Sequence, residues 1–80
     1  MNQLLNRISV DPKICFGKPC IKGTRIWVSL VLDVLSSGNS FEDILLNYPQ
    51  LQKEDILACL ACSAAMSRDY YVELDYSHFN

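Results

Sequence analysis

Ten consecutive residues, Gly17-Lys18-Pro19-Cys20-Ile21-Lys22-Gly23-Thr24-Arg25-Ile26, restrict the fold of this chain more than any other stretch. Glycine takes positive φ without steric cost and proline holds φ at about −65°, so the run specifies one bent backbone path and not a helix. Lys18, Lys22 and Arg25 resist unpaired burial, so that path must carry them to water or to an anion. The run is therefore a rigid basic loop, serving as a structural corner or as a binding edge. The most apolar segment of the protein follows it directly, from Trp27 and Val28 onward.

A chain of 80 residues is one domain. At this size only about 60% of the unfolded surface is buried on folding, so the core is thin and self-association is expected to help it. Half the residues are hydrophobic, which argues against disorder and predicts an exposed apolar patch. No apolar run approaches the roughly 20 residues that a membrane span requires; the longest, residues 28–35, contains Asp33. Met1-Asn2-Gln3-Leu4-Leu5-Asn6-Arg7 lacks the layout of a secretion signal, so the cytoplasm is the expected compartment.

The net charge of −2 hides an asymmetry. In residues 1–26, Arg7, Lys13, Lys18, Lys22 and Arg25 face Asp11 alone, whereas in residues 27–80 only Lys53 and Arg68 face the remaining acids. Such separation points to two surfaces with different partners, or to pairing of one end with the other; ordinary scatter in a small protein is the plainer reading.

Without a secretion signal, the four cysteines are expected to be reduced thiols. Cys59 and Cys62 form a C-x-x-C, but inside residues 57–65, which read as uninterrupted helix. Zinc knuckles place such a pair on a turn, and here only Cys15 and Cys20 remain to complete a ligand set. Redox motifs of the thioredoxin type open a helix after a strand, which this one does not. The cysteines are therefore expected to be small buried hydrophobes, with no metal and no cofactor.

Ile8-Ser9-Val10 alternates like a strand and stops at the turn-forming Asp11-Pro12. Ile14-Cys15-Phe16 reads as a second extended piece, and Cys20-Ile21 and Ile26-Trp27-Val28 flank the corner at Lys22-Gly23-Thr24-Arg25. A first helix is predicted from residue 27 or 28 to 37, its Val28, Val31, Leu32 and Leu35 forming one face, with Leu30 and Val34 making the opposite side apolar too. Gly38 stops it. Ser40 caps a second helix that buries Phe41, Ile44, Leu45 and Tyr48 and ends at Pro49. A third runs from residue 53 to about 67, with Leu51 and Ile56 at stapling positions, Gln52 as a mediocre cap, and Ile56, Leu57, Leu60, Ala61 and Ala64 expected to be buried. Beyond it the even positions from Tyr70 to Tyr76 are apolar and the odd ones mostly acidic, a strand period.

Three short helices with these connections have the layout of a helix-turn-helix, although any small three-helix packing shares it. As a DNA reader, the third helix begins with the helpful Lys53 but also with Glu54 and Asp55, which repel phosphate. Gln50 and Gln52 suit adenine edges, and Lys18, Lys22 and Arg25 suit phosphates. The Lys22-Gly23-Thr24 order is wrong for a phosphate-binding Walker loop. His78 is the only histidine, which excludes a His-based triad or a multi-His metal site within one chain. The acidic pairs Glu42/Asp43 and Glu54/Asp55 sit at helix starts, where the dipole explains them. Nothing here points to an enzyme.

The pattern Ile8-x-x-Asp11-Pro12-x-Ile14-x-x-Gly17-Lys18-Pro19-x-Ile21-Lys22-Gly23-Thr24-Arg25-Ile26-x-Val28, followed by Gly38-x-Ser40-x-Glu42-x-Ile44-x-x-x-Tyr48-Pro49-x-Leu51-x-x-Glu54-Asp55-Ile56, resembles the domain of unknown function family 433, whose members are similar to VapB-type antitoxins. The resemblance covers about residues 8–65. Gln52 stands where that family commonly has a capping Thr, and Cys20 where an aliphatic residue is usual. The resemblance implies a mainly α protein: a three-helix helix-turn-helix core, homeodomain-like or winged, with a short β-structured N-terminal arm. It also implies a homodimer, a cognate PIN-like ribonuclease toxin that the protein blocks, and autoregulatory binding of operator DNA.

The chain then divides into a lead (1–7), an antitoxin-like domain (8–67) and an aromatic-acidic tail (68–80). Lys18, Lys22, Arg25, Gln50, Gln52 and Lys53 are the candidate DNA contacts. Tyr70, Tyr71, Val72, Leu74, Tyr76 and Phe79 are the candidate toxin contacts. The N-terminal arm is expected to pair across the dimer. A stand-alone DNA-binding regulator without a toxin is the alternative.

Overall fold

A computed structural model of the chain describes residues 3–69. In order along the chain they form a 3₁₀ turn (Gln3–Arg7), strand β1 (Ile8–Ser9), a second 3₁₀ turn (Cys15–Gly17), strand β2 (Cys20–Ile21), and helices α1 (Val28–Ser36), α2 (Phe41–Asn47) and α3 (Lys53–Asp69). The protein is thus a mainly helical small domain of three helices with a short antiparallel two-strand hairpin at its N-terminal side.

The basic corner bends as its composition requires. Gly23 adopts φ +81°. Thr24 closes the turn: its hydroxyl donates to Ile21 O at 2.7 Å and accepts the Ile26 N–H at 3.0 Å, while Ile21 N–H donates to Ile26 O at 2.9 Å. β1 and β2 pair in the register Ile8↔Ile21 and Ser9↔Cys20, and Trp27 makes an isolated bridge to Cys20. The strands thus satisfy each other within one chain.

Residues 14–16, expected to be extended, instead reverse direction. Ile14 is extended, but Cys15 (φ +52°), Phe16 (φ +58°) and Gly17 (φ +78°) are three consecutive left-handed residues. Hydrogen bonds from Gly17 N–H to Ile14 O and from Lys18 N–H to Cys15 O, both 3.1 Å, close the turn. Cys15 is buried by it, whereas Phe16 is 90% exposed.

The helices begin and end as their local chemistry dictates. α1 stops at Gly38 (φ +98°), where the Asn39 side chain donates to Val34 O. α2 carries a reciprocal capping box, Ser40 accepting the Asp43 N–H and Asp43 accepting the Ser40 N–H. The core gathers Ile21, Ile26, Val28, Val31, Ile44, Leu51, Ile56, Cys59 and Cys62, with Leu5 and Ile8 packed on it from the N-terminal side.

α3 is rotated from the face read in its sequence. Ile56, Ala58, Cys59 and Cys62 are buried, but Leu60 is 41% exposed and Ala64 lies at the surface. α3 packs against the first 3₁₀ turn and β1 as well as against α1 and α2, and the stripe through Ile56, Cys59 and Cys62 serves these neighbours. The Leu60 stripe lies one residue on, about 100° around the helix, and faces away. Among the described residues, no helix is long and apolar enough to cross a membrane.

Candidate functional site

The first candidate surface is the basic corner. Its bends leave Lys18, Lys22 and Arg25 exposed. The Lys18 ammonium lies 4.6 Å from the centre of the Trp27 ring, a cation–π contact that fixes a flexible side chain. Arg25, Trp27, Phe16, Cys15, Lys13 and Pro12 line a recess of about 420 Å³. Asp11, the one acid of this end of the chain, accepts the Lys13 N–H at 2.8 Å, so one of its carboxylate oxygens is turned to the backbone.

Lys22 goes elsewhere. Its N–H donates to Arg7 O at 2.8 Å, and the Arg7 guanidinium in turn donates to Asp55 Oδ1 at 3.0 Å and to Gln52 Oε1 at 3.4 Å. The structure thus groups Lys18 with Arg25 around Trp27, and places Lys22 beside Arg7 near the start of α3. Gln50, Gln52 and Lys53 are exposed there, next to an equally exposed Glu54. Gln52 already has its amide oxygen engaged. The candidate toxin contacts Tyr70, Tyr71, Val72, Leu74, Tyr76 and Phe79 lie outside the described residues.

The second surface is an apolar groove of about 480 Å³ between the start of α1 and the last turns of α3. Pro19, Val28 and Leu32 form one wall and Ser63, Met66 and Ser67 the other, with Lys18 at the rim. Lys18 therefore borders both surfaces. Met66 is 53% exposed, and it lies three residues before Asp69, the last described residue of α3.

The cysteines offer little chemistry. All four are free and buried. Burial, with Cys62 and Asp55 nearby, pushes the Cys59 thiol up to about 12; burial raises Cys62 as well, and burial together with the neighbouring Cys15 raises Cys20. A nucleophilic cysteine needs a lowered pKa and access; Cys20, Cys59 and Cys62 have the opposite, and Cys15 is buried. Among the described residues, no group of three or more His, Cys, Asp or Glu is placed to hold a metal ion.

Three features escaped the sequence: the Arg7–Asp55 pair, the joining of Lys13, Phe16 and Trp27 into one recess, and the α1–α3 groove. Only Phe16 carried a local signal, an aromatic inside a Gly/Pro-rich turn. In comparison with known families, the chain matches the model described as "Protein of unknown function (DUF433)" over residues 8–61. Nothing matches it among the curated proteins or among the solved structures.

Proposed function

This chain belongs to the DUF433 family of proteins of unknown function, and from that premise we propose that it is a cytoplasmic, non-enzymatic antitoxin. It binds and neutralises a PIN-like ribonuclease as a homodimer, and the pair represses its own operon. The observation that carries the toxin-binding part is the groove between α1 and α3. It is lined mainly by apolar atoms of Pro19, Val28, Leu32 and Met66, and its α3 wall lies in the last described turns of that helix, just before the aromatic-acidic tail in sequence.

The chemistry of α3 favours protein over duplex DNA as its main partner. Its exposed start sets Lys53 against Glu54, and its outward positions farther on include Leu60, Ala64 and Met66. These exposed positions, Met66 on the groove and Leu60 and Ala64 on the outer side, gain from burial against apolar surface and offer few cations for phosphates. The groove would give a toxin a hydrophobic seat, and the tail's sequence would add aromatic and acidic side chains to the contact.

The test is capture of the tagged full chain from its native host at low salt, followed by reconstitution with what co-purifies. The expected result is a small nuclease whose RNA cleavage stops when this protein is added in stoichiometric amount. Recovery of promoter DNA with no nuclease, together with retardation of that DNA by the protein alone, would replace this reading with the stand-alone regulator.

A further inference from the structure

Phe16 does not serve the fold. Its ring is 90% exposed, and its backbone sits at φ +58°, a region that bulky L-residues enter only at a cost. Glycine or asparagine would take the same turn more easily. An aromatic held outward at such a position, on a turn braced by two backbone hydrogen bonds, is a presented group.

What surrounds it is cationic and aromatic. Lys13, Arg25 and Trp27 line the same recess, and Lys18 lies against the Trp27 ring. Among the described residues none of these cations makes a salt bridge, the ion pair formed being Arg7–Asp55. Within residues 1–26, Asp11 is the only acid against Lys13, Lys18, Lys22 and Arg25, Arg7 being paired with Asp55. A flat ring flanked by unpaired cations is the arrangement by which proteins hold unstacked bases and their phosphates.

We infer that this recess binds single-stranded nucleic acid, one base stacking on Phe16 while Lys13, Arg25 and Lys18 contact the adjoining phosphates. A duplex fits less well, because its bases are already stacked and three cations are few for its charge density. An acidic peptide would use the cations but has no need of the projecting ring. The site shares only Lys18 with the groove assigned above to the toxin, and Phe16 and Arg25, on which its test turns, lie outside that groove.

The test is fluorescence anisotropy of labelled oligo-dT and oligo-U of about 12 nucleotides with the full chain at about 50 mM salt. Binding is expected to weaken as salt rises, with a slope near −2, since about 0.7 is expected for each of three phosphate contacts on a single strand. Phe16→Ala is expected to lower affinity by about 5- to 100-fold with that slope unchanged, Phe16→Tyr to restore it, and Arg25→Ala to flatten the slope by about 0.7. The exposure of Phe16 means that Phe16→Ala keeps the helical circular dichroism of the parent. Three outcomes would overturn the proposal: no binding at this salt, a Phe16→Ala variant that binds like the parent, or a duplex of the same sequence that binds as tightly.

Discussion

Arg7 and Asp55 form an ion pair at 3.0 Å that ties the N-terminal 3₁₀ turn to the first turn of α3. The Asp55 carboxylate does two things at once. Oδ1 accepts from the Arg7 guanidinium, and Oδ2 accepts the Gln52 N–H at 2.8 Å, satisfying a backbone donor at the helix start. Gln52 is a weak capping residue, and Asp55 three positions on completes half of a capping box for it.

Losing both roles should be costly. Asp55→Ala is expected to lower unfolding free energy by about 1 to 3 kcal/mol, combining a lost cap with a half-exposed arginine left without its partner. Arg7→Met should cost less, about 1 kcal/mol, because the arginine end is partly in water and screened. Urea midpoints of the two single variants and the double variant measure the coupling. Additive losses would show that the pair is incidental and that the cap alone matters.

Phe16 offers the opposite prediction, a substitution that stabilises. Asparagine tolerates left-handed φ better than a bulky aromatic does, and almost none of the Phe16 ring is buried to offset the change. Phe16→Asn should raise stability by about 0.5 to 1 kcal/mol, read as a higher urea midpoint at unchanged slope. A fall in midpoint would mean that the ring supports the fold after all, and would remove the reason for regarding it as a presented group.

These residues also show where sequence reading reaches. The Lys22-Gly23-Thr24-Arg25 corner, the stop at Gly38 and the cap at Ser40 rest on contacts within five residues, and each stands where local chemistry puts it. The turn at Cys15 and Phe16 was hidden, because periodicity sees an apolar run and not the sign of φ in residues other than glycine. The buried face of α3 differs from the one its sequence predicts because Leu60 and Cys59 are both apolar, and only the packing of the N-terminal turn selects between them. Arg7 and Asp55 are 48 positions apart, and no local pattern pairs a lone arginine with one of two adjacent acids.

Cys59 makes stability depend on alkaline pH. Its thiol is held protonated to about 12 in the folded chain, against 9.0 for an ordinary thiol. Between these values the unfolded chain has released the proton and the folded chain has not, so stability falls as pH rises above about 9. One such group contributes a slope of up to about 1.4 kcal/mol per pH unit. Urea midpoints from pH 8 to 10.5 should decline, and Cys59→Ala should start lower but decline less steeply. Parallel declines in the two proteins would assign the pH effect to other groups.

The groove makes the last prediction, and it separates partner binding from folding. Met66 lies on the groove wall and is more than half exposed, so a charge there is tolerated by the isolated chain. Glutamate at this position puts a carboxylate onto the apolar patch that a toxin would have to bury, which costs on the order of several kcal/mol in a desolvated interface. Met66→Glu is therefore expected to keep the parent's circular dichroism and to change its unfolding free energy, read from urea denaturation, by no more than about 0.5 kcal/mol. The same variant should lose at least tenfold in toxin affinity and in protection of RNA from cleavage. Removing residues 70–80 should give the same separation if the tail adds contacts to those of the groove. Full neutralisation by Met66→Glu would move the toxin site off this face, and the exposed Leu60 and Ala64 on the outer side of α3 would then be the next surface to substitute.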